Sequence, residues 1–263
     1  MNLELSGKTA LVTGGSKGIG LATALVLAEE GCNVGICGRD ESSLIEAVKK
    51  IRQFDVEVES VIADVCDKTQ SSEFVQRCVE TLGGVDILIN NVGGSFGAPR
   101  IIDGDLNDWR QTFEINLFQG INLIKLVEPF MATKGGSIVN VASISGWSEQ
   151  LAGSGQYGSA KAALIFATER MALELVQSNI RVNTVSPGSI LGAGGWDKMA
   201  HEAAEQFMEY VKEGFPMGRL GLPYEIANVI AFLVSPKAHW INGRNIPVDG
   251  LQQPVPVRSR RPW

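Results

Sequence analysis

The sequence predicts an α/β protein: a single-domain Rossmann-like doubly wound parallel sheet of about seven strands, with helices on both faces. Three observations predict it. Short apolar runs alternate with longer segments of helical period along the chain. Several runs are rich in Val and Ile with little polar alternation, as in parallel strands covered on both sides. Glycine is abundant, 30 of 263 residues, against a usual share of about 7%, which points to tight turns and close backbone approaches.

Taken in order, the first strand is Thr9–Val12, followed by a glycine-rich turn and a helix over 18–30. In that helix Ile19, Ala22, Leu25, Val26 and Ala28 share one side, and Gly31 stands where a C-terminal stop is expected. The strand Asn33–Cys37 precedes a helix over 41–54, in which Leu44, Ile45, Val48 and Ile51 repeat the pattern. The strand Glu57–Ala63 leads to a helix over 69–83, and Asp86–Ile89 to a long helix over 107–133. Ser137–Val141 precedes a helix over 157–178, and Arg181–Val185, a helix over 223–234 and Asn245–Val248 complete the series. Strand–helix–strand units of this kind cross over right-handed. Residues 1–251 read as one domain. Residues 190–215 read as an insertion, and 252–263, with three prolines and three arginines, as a tail without regular structure.

Composition narrows the function. A net charge of −6 argues against nucleic acid as main partner, since such proteins present a basic surface. Cys32, Cys37, Cys66 and Cys78 form no CxxC pair and only two histidines accompany them, so no metal site is expected. Unpaired cysteines in apolar or helical patterns suit a reducing compartment. The opening residues lack a basic region followed by a long apolar run, and no stretch approaches the roughly 20 apolar residues of a membrane helix. The expectation is a cytoplasmic protein that does not engage a membrane.

The first strand runs directly into Thr13-Gly14-Gly15-Ser16-Lys17-Gly18-Ile19-Gly20 and then a helix. Glycines there let the backbone turn sharply and approach a ligand. The helix start offers free N–H groups and partial positive charge to a pyrophosphate. The spacing is GxxxGxG, and it resembles that of the short-chain dehydrogenase/reductase family. Further motifs agree in order. Asp64-Val65 resembles the family's adenine-contacting DV pair. Asn90-Asn91-Val92-Gly93 resembles its NNAG element, with Val92 for alanine. Asn116-Leu117 resembles the NL position, Tyr157-Gly158-Ser159-Ala160-Lys161 the YxxxK motif, and Pro187-Gly188 the turn after the sixth strand. The likeness spans residues from about 5 to 250 and is similar to the 3-oxoacyl-carrier-protein reductase and tropinone reductase branch.

The resemblance implies an oxidoreductase acting on a small-molecule carbonyl or alcohol, in a homotetramer or homodimer that pairs the 107–133 and 157–178 helices. Ala163, Ala167, Met171 and Leu175 recur at helical spacing, suiting that interface or a core helix equally. The resemblance implies Asn116, Ser143, Tyr157 and Lys161 as catalytic, Asn116 in a helix distortion holding a water that relays protons toward Lys161. It implies cofactor contacts from Gly14, Ser16, Lys17, Gly18, Ile19, Gly20, Arg39, Asp64, Val65, Asn91, Gly93, Tyr157, Lys161, Pro187, Gly188 and Ile190. The Ser143–Tyr157 interval is long for the family, which makes Ser145 a second candidate hydroxyl.

The chemistry follows from residue types as well. Tyr157 and Lys161, four apart on a helix, share a face. A phenol with a pKa near 10 exchanges protons poorly at neutral pH, and a nearby ammonium favours the phenolate. Ser143, at a strand's C-terminal end, is placed to hydrogen-bond a substrate oxygen as charge develops on it. Cofactor choice turns on the second strand. The position where NAD-preferring relatives carry an acid holds Gly38, with Arg39 beside it and Lys17 in the glycine loop. Two cations suit the 2′-phosphate of NADP(H), with NAD(H) the less expected cofactor. The alternative is that Arg39 pairs with Asp40 or Glu41 and stacks on adenine.

Residues 190–215 are expected to fold over the nicotinamide as a lid or to pack as a plain amphipathic helix. Trp196, Met199, Phe207, Met208 and Tyr210 there, with Phe96, Trp147 and Gln150 nearby, suggest a partly apolar carbonyl compound. Two other functions fit the same residues: a family enzyme without net redox chemistry, such as a dehydratase or epimerase, and a non-catalytic NADP(H)-binding sensor or scaffold. Retention of both Tyr157 and Lys161 argues against the second.

Overall fold

A computed structural model describes residues 2–98, 100–147, 155–192 and 204–252, with Tyr210 described by its backbone alone. Seven strands form one parallel sheet: β1 Thr9–Thr13, β2 Asn33–Gly38, β3 Val58–Ile62, β4 Ile87–Asn90, β5 Gly136–Val141, β6 Ile180–Pro187 and β7 Asn245–Val248. Their order is β3-β2-β1-β4-β5-β6-β7. The order reverses between β1 and β4, the place in a doubly wound sheet where a crevice opens at the strands' carboxyl ends.

One face is covered by α1 Gly18–Glu29, α2 Glu41–Ile51 and the helix Pro223–Val234 (α8). They share a core with the sheet that includes Leu27, Ile36, Ile51, Ile89 and Ile230. The other face carries α3 Lys68–Leu82, α5 Gln119–Met131 and α6 Gly155–Leu175, around Phe74, Leu88, Leu123, Met131 and Ile138. Helix starts are set by aspartates. Asp40, Asp67 and Asp105 each accept hydrogen bonds from main-chain N–H groups of the first turn of α2, α3 and α4 (Leu106–Phe113). Gly31 and Gly83 close α1 and α3 with φ of +84° and +81°.

Three sequence expectations change. Helix α1 is buried nearly all round (Gly20, Ala22, Ala24, Val26, Leu27 and Ala28), because α8 covers the side turned away from the sheet. The expected helix 107–133 is divided into α4 and α5 by a π-helical turn, Glu114–Phe118, which holds the Asn116 position where the resemblance implied a distortion. The stripe Ala163, Ala167, Met171 and Leu175 packs inward against the core clusters, whereas Phe166 and Leu173 of α6 are exposed. The core-helix alternative therefore holds for those four residues. The insertion is described from Ala204, where helix α7 (Ala204–Gly214) folds Phe207 and Val211 onto Phe215 and Leu220. Among the described residues no helix is long and apolar enough to cross a membrane.

Candidate active site

The glycine loop leaves β1 with Gly14 at φ +63° and enters α1 with Gly18 at φ +54°. These are left-handed conformations that cost other residues steric energy. The turn is also crowded. A Cβ on Gly20 would stand 2.2 Å from the Gly14 carbonyl oxygen, and one on Gly14 would stand 3.0 Å from Asn91 Nδ2. Asn91 fastens this end of the sheet, donating from Nδ2 to the Thr13 carbonyl at 2.9 Å while its main-chain N–H donates to Thr13 Oγ1 at 3.0 Å.

Ser143 follows β5. Its Oγ accepts from the Ser145 N–H at 3.1 Å, and its hydroxyl hydrogen-bonds with Tyr157. Lys161 is 2% exposed and donates to the Val141 carbonyl at 2.8 Å; its Nζ lies 5.7 Å from the Tyr157 ring centroid. Burial acts on both groups. It pushes the Tyr157 phenol above its ordinary value, against the opposing hydrogen bond from Ser143, and pushes the Lys161 ammonium down to about 7. From residue types alone, Lys161 acts on the phenol only through its charge. Desolvation is the larger effect on the phenol here.

Asn116 occupies the π-helical turn and is 1% exposed. Its Nδ2 donates to the carbonyls of Thr112 at 2.8 Å and Gly94 at 2.5 Å, and its Oδ1 accepts from the Gly94 N–H at 3.2 Å. The wider turn frees main-chain groups that an α-helix would pair. Gly93 separates Asn116 from Lys161. A Cβ there would stand 2.8 Å from Asn116 Oδ1 and 3.0 Å from Lys161 Nζ, so no larger residue fits without displacing one of them.

A cavity of about 490 Å³ gathers Lys17, Gly18, Ile19, Asn91, Gly93, Ser143, Tyr157, Lys161, Pro187, Gly188 and Ile190. Eleven of the sequence-nominated residues thus meet at one opening. The loop bearing Ile190 pairs with Gly221, and a two-pronged Arg219–Glu225 ion pair lies at residues flanking that glycine. Asn116 stands behind Gly93 rather than in the cavity wall. Gly14, Ser16 and Gly20 shape the turn. Val65 is 4% exposed within the core, so its main chain is what it offers a ligand.

At the far end of the loop, Arg39 Nη1 lies 3.9 Å from Asp64 Oδ2, and Lys17 Nζ lies 3.9 Å from Asp40 Oδ1. Arg39 therefore pairs with Asp64 rather than Asp40 or Glu41. The residues fit a nicotinamide dinucleotide: a helix start for a diphosphate, glycines where a Cβ would fill the cradle, and two exposed cations beyond them.

Sequence reasoning missed Ser95 and Ser189, which line the cavity, and the Val141 carbonyl that anchors Lys161. Ser189 directly follows the Pro187-Gly188 motif and Ser95 stands two residues after Gly93, which was the available signal. A main-chain acceptor has none. Among the described residues no group of His, Cys, Asp and Glu is placed to hold a metal ion.

The chain is similar to known proteins along nearly its whole length. The family model described as Enoyl-(Acyl carrier protein) reductase matches residues 14–250. The 7alpha-hydroxysteroid dehydrogenase of Escherichia coli K12 is 32% identical over 249 residues, 95% of each chain. A 3-oxoacyl-(acyl-carrier-protein) reductase of Thermotoga maritima is 34% identical, covering 94% of this chain and 98% of the relative. Among solved structures, L-sorbose reductase from Gluconobacter frateurii, complexed with NADPH and L-sorbose, superposes with a TM-score of 0.88 at 32% identity, covering 95% and 98% of the two chains. A 7 alpha-hydroxysteroid dehydrogenase complexed with NADH and a 7-oxo bile acid gives a TM-score of 0.86 at 33% identity, covering 95% and 96%. With a family model spanning most of its length and relatives matched nearly end to end, this chain belongs to the short-chain dehydrogenase/reductase family of oxidoreductases.

Proposed function

We propose that the protein is an NADP(H)-preferring reductase or dehydrogenase that interconverts a carbonyl compound and its alcohol. The observation that carries this reading is the Ser143–Tyr157 hydrogen bond with buried Lys161 beside the ring, opening onto the cavity at the glycine loop. When bound, the nicotinamide supplies or accepts the hydride. Tyr157 holds the proton at its phenolic oxygen and gives it to the substrate oxygen in reduction. Ser143 hydrogen-bonds the same oxygen and stabilises charge developing there. Lys161, fixed on Val141, biases the phenol toward ionisation whenever its ammonium is charged, and Asn116 and Gly93 set the space behind it.

Arg39 and Lys17 support the NADP(H) preference, since no carboxylate occupies the Gly38 position that would compete for a ribose hydroxyl. The exposed Phe118 of the π-helical turn, Phe130 on α5 and Phe166 and Leu173 on α6 support assembly into a homotetramer or homodimer through those helices. The free, largely buried cysteines suit a cytoplasmic protein. The test is consumption of NADPH or NADH with a panel of ketones, followed by absorbance, with Tyr157→Phe as control. Activity that Tyr157→Phe leaves intact would reject this reading.

A further inference from the structure

The cavity wall around the Ser143–Tyr157 pair has a chemical character of its own. Ser95, Ser145 and Ser189 line it together with Ser143 and Tyr157. The Ser145 N–H is used by Ser143 Oγ, and among the described residues no hydrogen bond engages the Ser145 hydroxyl. The Ser189 N–H is used by Gln252 Oε1 and its carbonyl by the Gly221 N–H, which leaves its hydroxyl as the polar group it has to offer. Several apolar residues of the same wall are buried, and Ile19 is half-buried. Val141, Ala142, Ile144 and Ile190 are 5%, 4%, 3% and 4% exposed.

The aromatic weight that suggested an apolar substrate is not in this wall among the described residues. Phe207 is 6% exposed inside its own small core with Val211, Phe215 and Leu220. Phe96 and Trp147 are exposed but do not line the cavity. Trp196, Met199 and Gln150 lie outside the described residues, as does the Tyr210 side chain. Charge is also sparse. The described lining holds two cations, Lys17 at the glycine loop near Asp40 and Lys161 on the Val141 carbonyl.

We propose that the substrate is a neutral polyhydroxylated ketone and its product the corresponding polyol, with Ser145 and Ser189 reading the hydroxyls that flank the carbonyl. This rests on the oxidoreductase reading above and specifies its substrate class. The carbonyl carbon gains hydride from the reduced nicotinamide. The π pair of the C=O bond takes the Tyr157 proton, solvent returns a proton to the phenolate, and oxidation of the nicotinamide balances reduction of the ketone. A wall of hydroxyls selects by what it leaves unpaired. A deoxy analogue of the same carbon skeleton strips water from these donors and acceptors and gives nothing back, and such sites discriminate far more strongly than apolar pockets do.

The experiment measures kcat/KM of the full chain with NADPH, and with NADH, on pairs that share a skeleton: erythrulose against 2-butanone, and sorbose or fructose against 2-hexanone. The expected result is a preference of at least about a hundredfold for the hydroxylated member. Ser145→Ala should cut that preference by about five- to tenfold, chiefly through KM, as for loss of one neutral hydrogen bond; Ser189→Ala should act in the same direction. Equal or better use of the deoxy ketones overturns the substrate class while leaving the oxidoreductase reading intact. An unchanged preference in both serine variants overturns their assigned role. Failure of every ketone and polyol to turn over either cofactor overturns the oxidoreductase reading, and this one with it.

Discussion

The two ends of the cofactor cleft are built on opposite principles. At the catalytic end Lys161 is 2% exposed and fixed on a main-chain carbonyl, Asn116 is 1% exposed and carries three hydrogen bonds, and the phenol is tied to Ser143. At the other end the side chains of Lys17 and Arg39 are 73% and 74% exposed and meet their carboxylates only at 3.9 Å. Proton transfer depends on sub-ångström placement and on a shielded environment, and burial supplies both. Discrimination between two nucleotides differing by one phosphate needs only charge within reach, which flexible surface cations supply. Perturbations should therefore be large and pH-dependent at the first end, and small and salt-dependent at the second.

The largest expected effect is that of Tyr157→Phe. General acid catalysis typically contributes 10²–10⁴-fold, and the phenol is the one donor assigned to the substrate oxygen, so turnover should fall by about a thousandfold. Cofactor affinity should hold within a few-fold, because the ring stays in place. Steady-state kinetics and nucleotide titration together check this, and activity within tenfold of wild type would break the comparison at its catalytic end.

Lys161→Met should lower turnover by about a hundredfold and, unlike Tyr157→Phe, change stability with a definite pH signature. The ammonium is pushed by burial from its ordinary 10.5 to about 7. Between those values the unfolded chain holds a proton that the folded chain lacks, so this group makes stability rise with pH across that window. Below pH 7 both states are protonated, and the full cost of the buried charge is felt. Methionine carries no such cost. The variant should melt above wild type near pH 7, and the gap should shrink toward pH 10. Thermal denaturation without nucleotide at several pH values measures it; a constant gap would mean that the lysine is hydrated in the folded protein.

How far the sequence reached follows the same division. Strands and helices were legible because each has a period and a flanking signal: near-continuous Val and Ile for buried parallel strands, Asp before a helix, Gly after one. Strand ends shifted by a residue or two, as for β4, read as Asp86–Ile89 and found at Ile87–Asn90. The π-helical turn at Asn116 left only an asparagine in a helix, too weak a mark to locate a break without the family likeness. The direction of the Ala163–Leu175 stripe depended on which neighbour faced it, and periodicity alone holds no such information. The side chains proposed as catalytic stood out by type and spacing, and Ser143, Tyr157 and Lys161 meet at one cavity. The partners of Arg39 and Lys17 did not stand out, because Asp64 lies 25 residues beyond Arg39 in the sequence and meets it only through the β2–β3 pairing.

Arg39→Ala tests the outer end. A guanidinium that leaves Asp64 for a 2′-phosphate makes charge-assisted hydrogen bonds, but it does so in solvent, where such contacts are weakened. The ratio of kcat/KM for NADPH over NADH should fall by about ten- to a hundredfold, nearly all of it lost from NADPH. Adding Gly38→Asp should move preference further toward NADH, since its carboxylate repels the phosphate and accepts from a free 2′-hydroxyl. The Cβ it brings would stand 3.1 Å from Ser16 Oγ, so the glycine loop must give slightly. A wild type that already prefers NADH would make Arg39 a stacking residue and overturn the proposed cofactor.

Lys17→Ala should show the smallest effect, and its salt dependence is the informative part. The ammonium is a single flexible point charge, 73% exposed, that water and buffer cations replace readily. Its removal should weaken NADPH about two- to fivefold at low ionic strength and hardly at all near about 1 M salt, where the Debye length of about 3 Å falls below the separation of such groups. Asp40, released from Lys17, keeps its place through Ser42 and Ser43 at the start of α2, so the helix should not loosen. The measurement is NADPH Kd against salt for wild type and variant. A loss that persists at high salt would show Lys17 making a dehydrated, direct phosphate contact, and the outer end of the cleft would then be preorganised like the inner one.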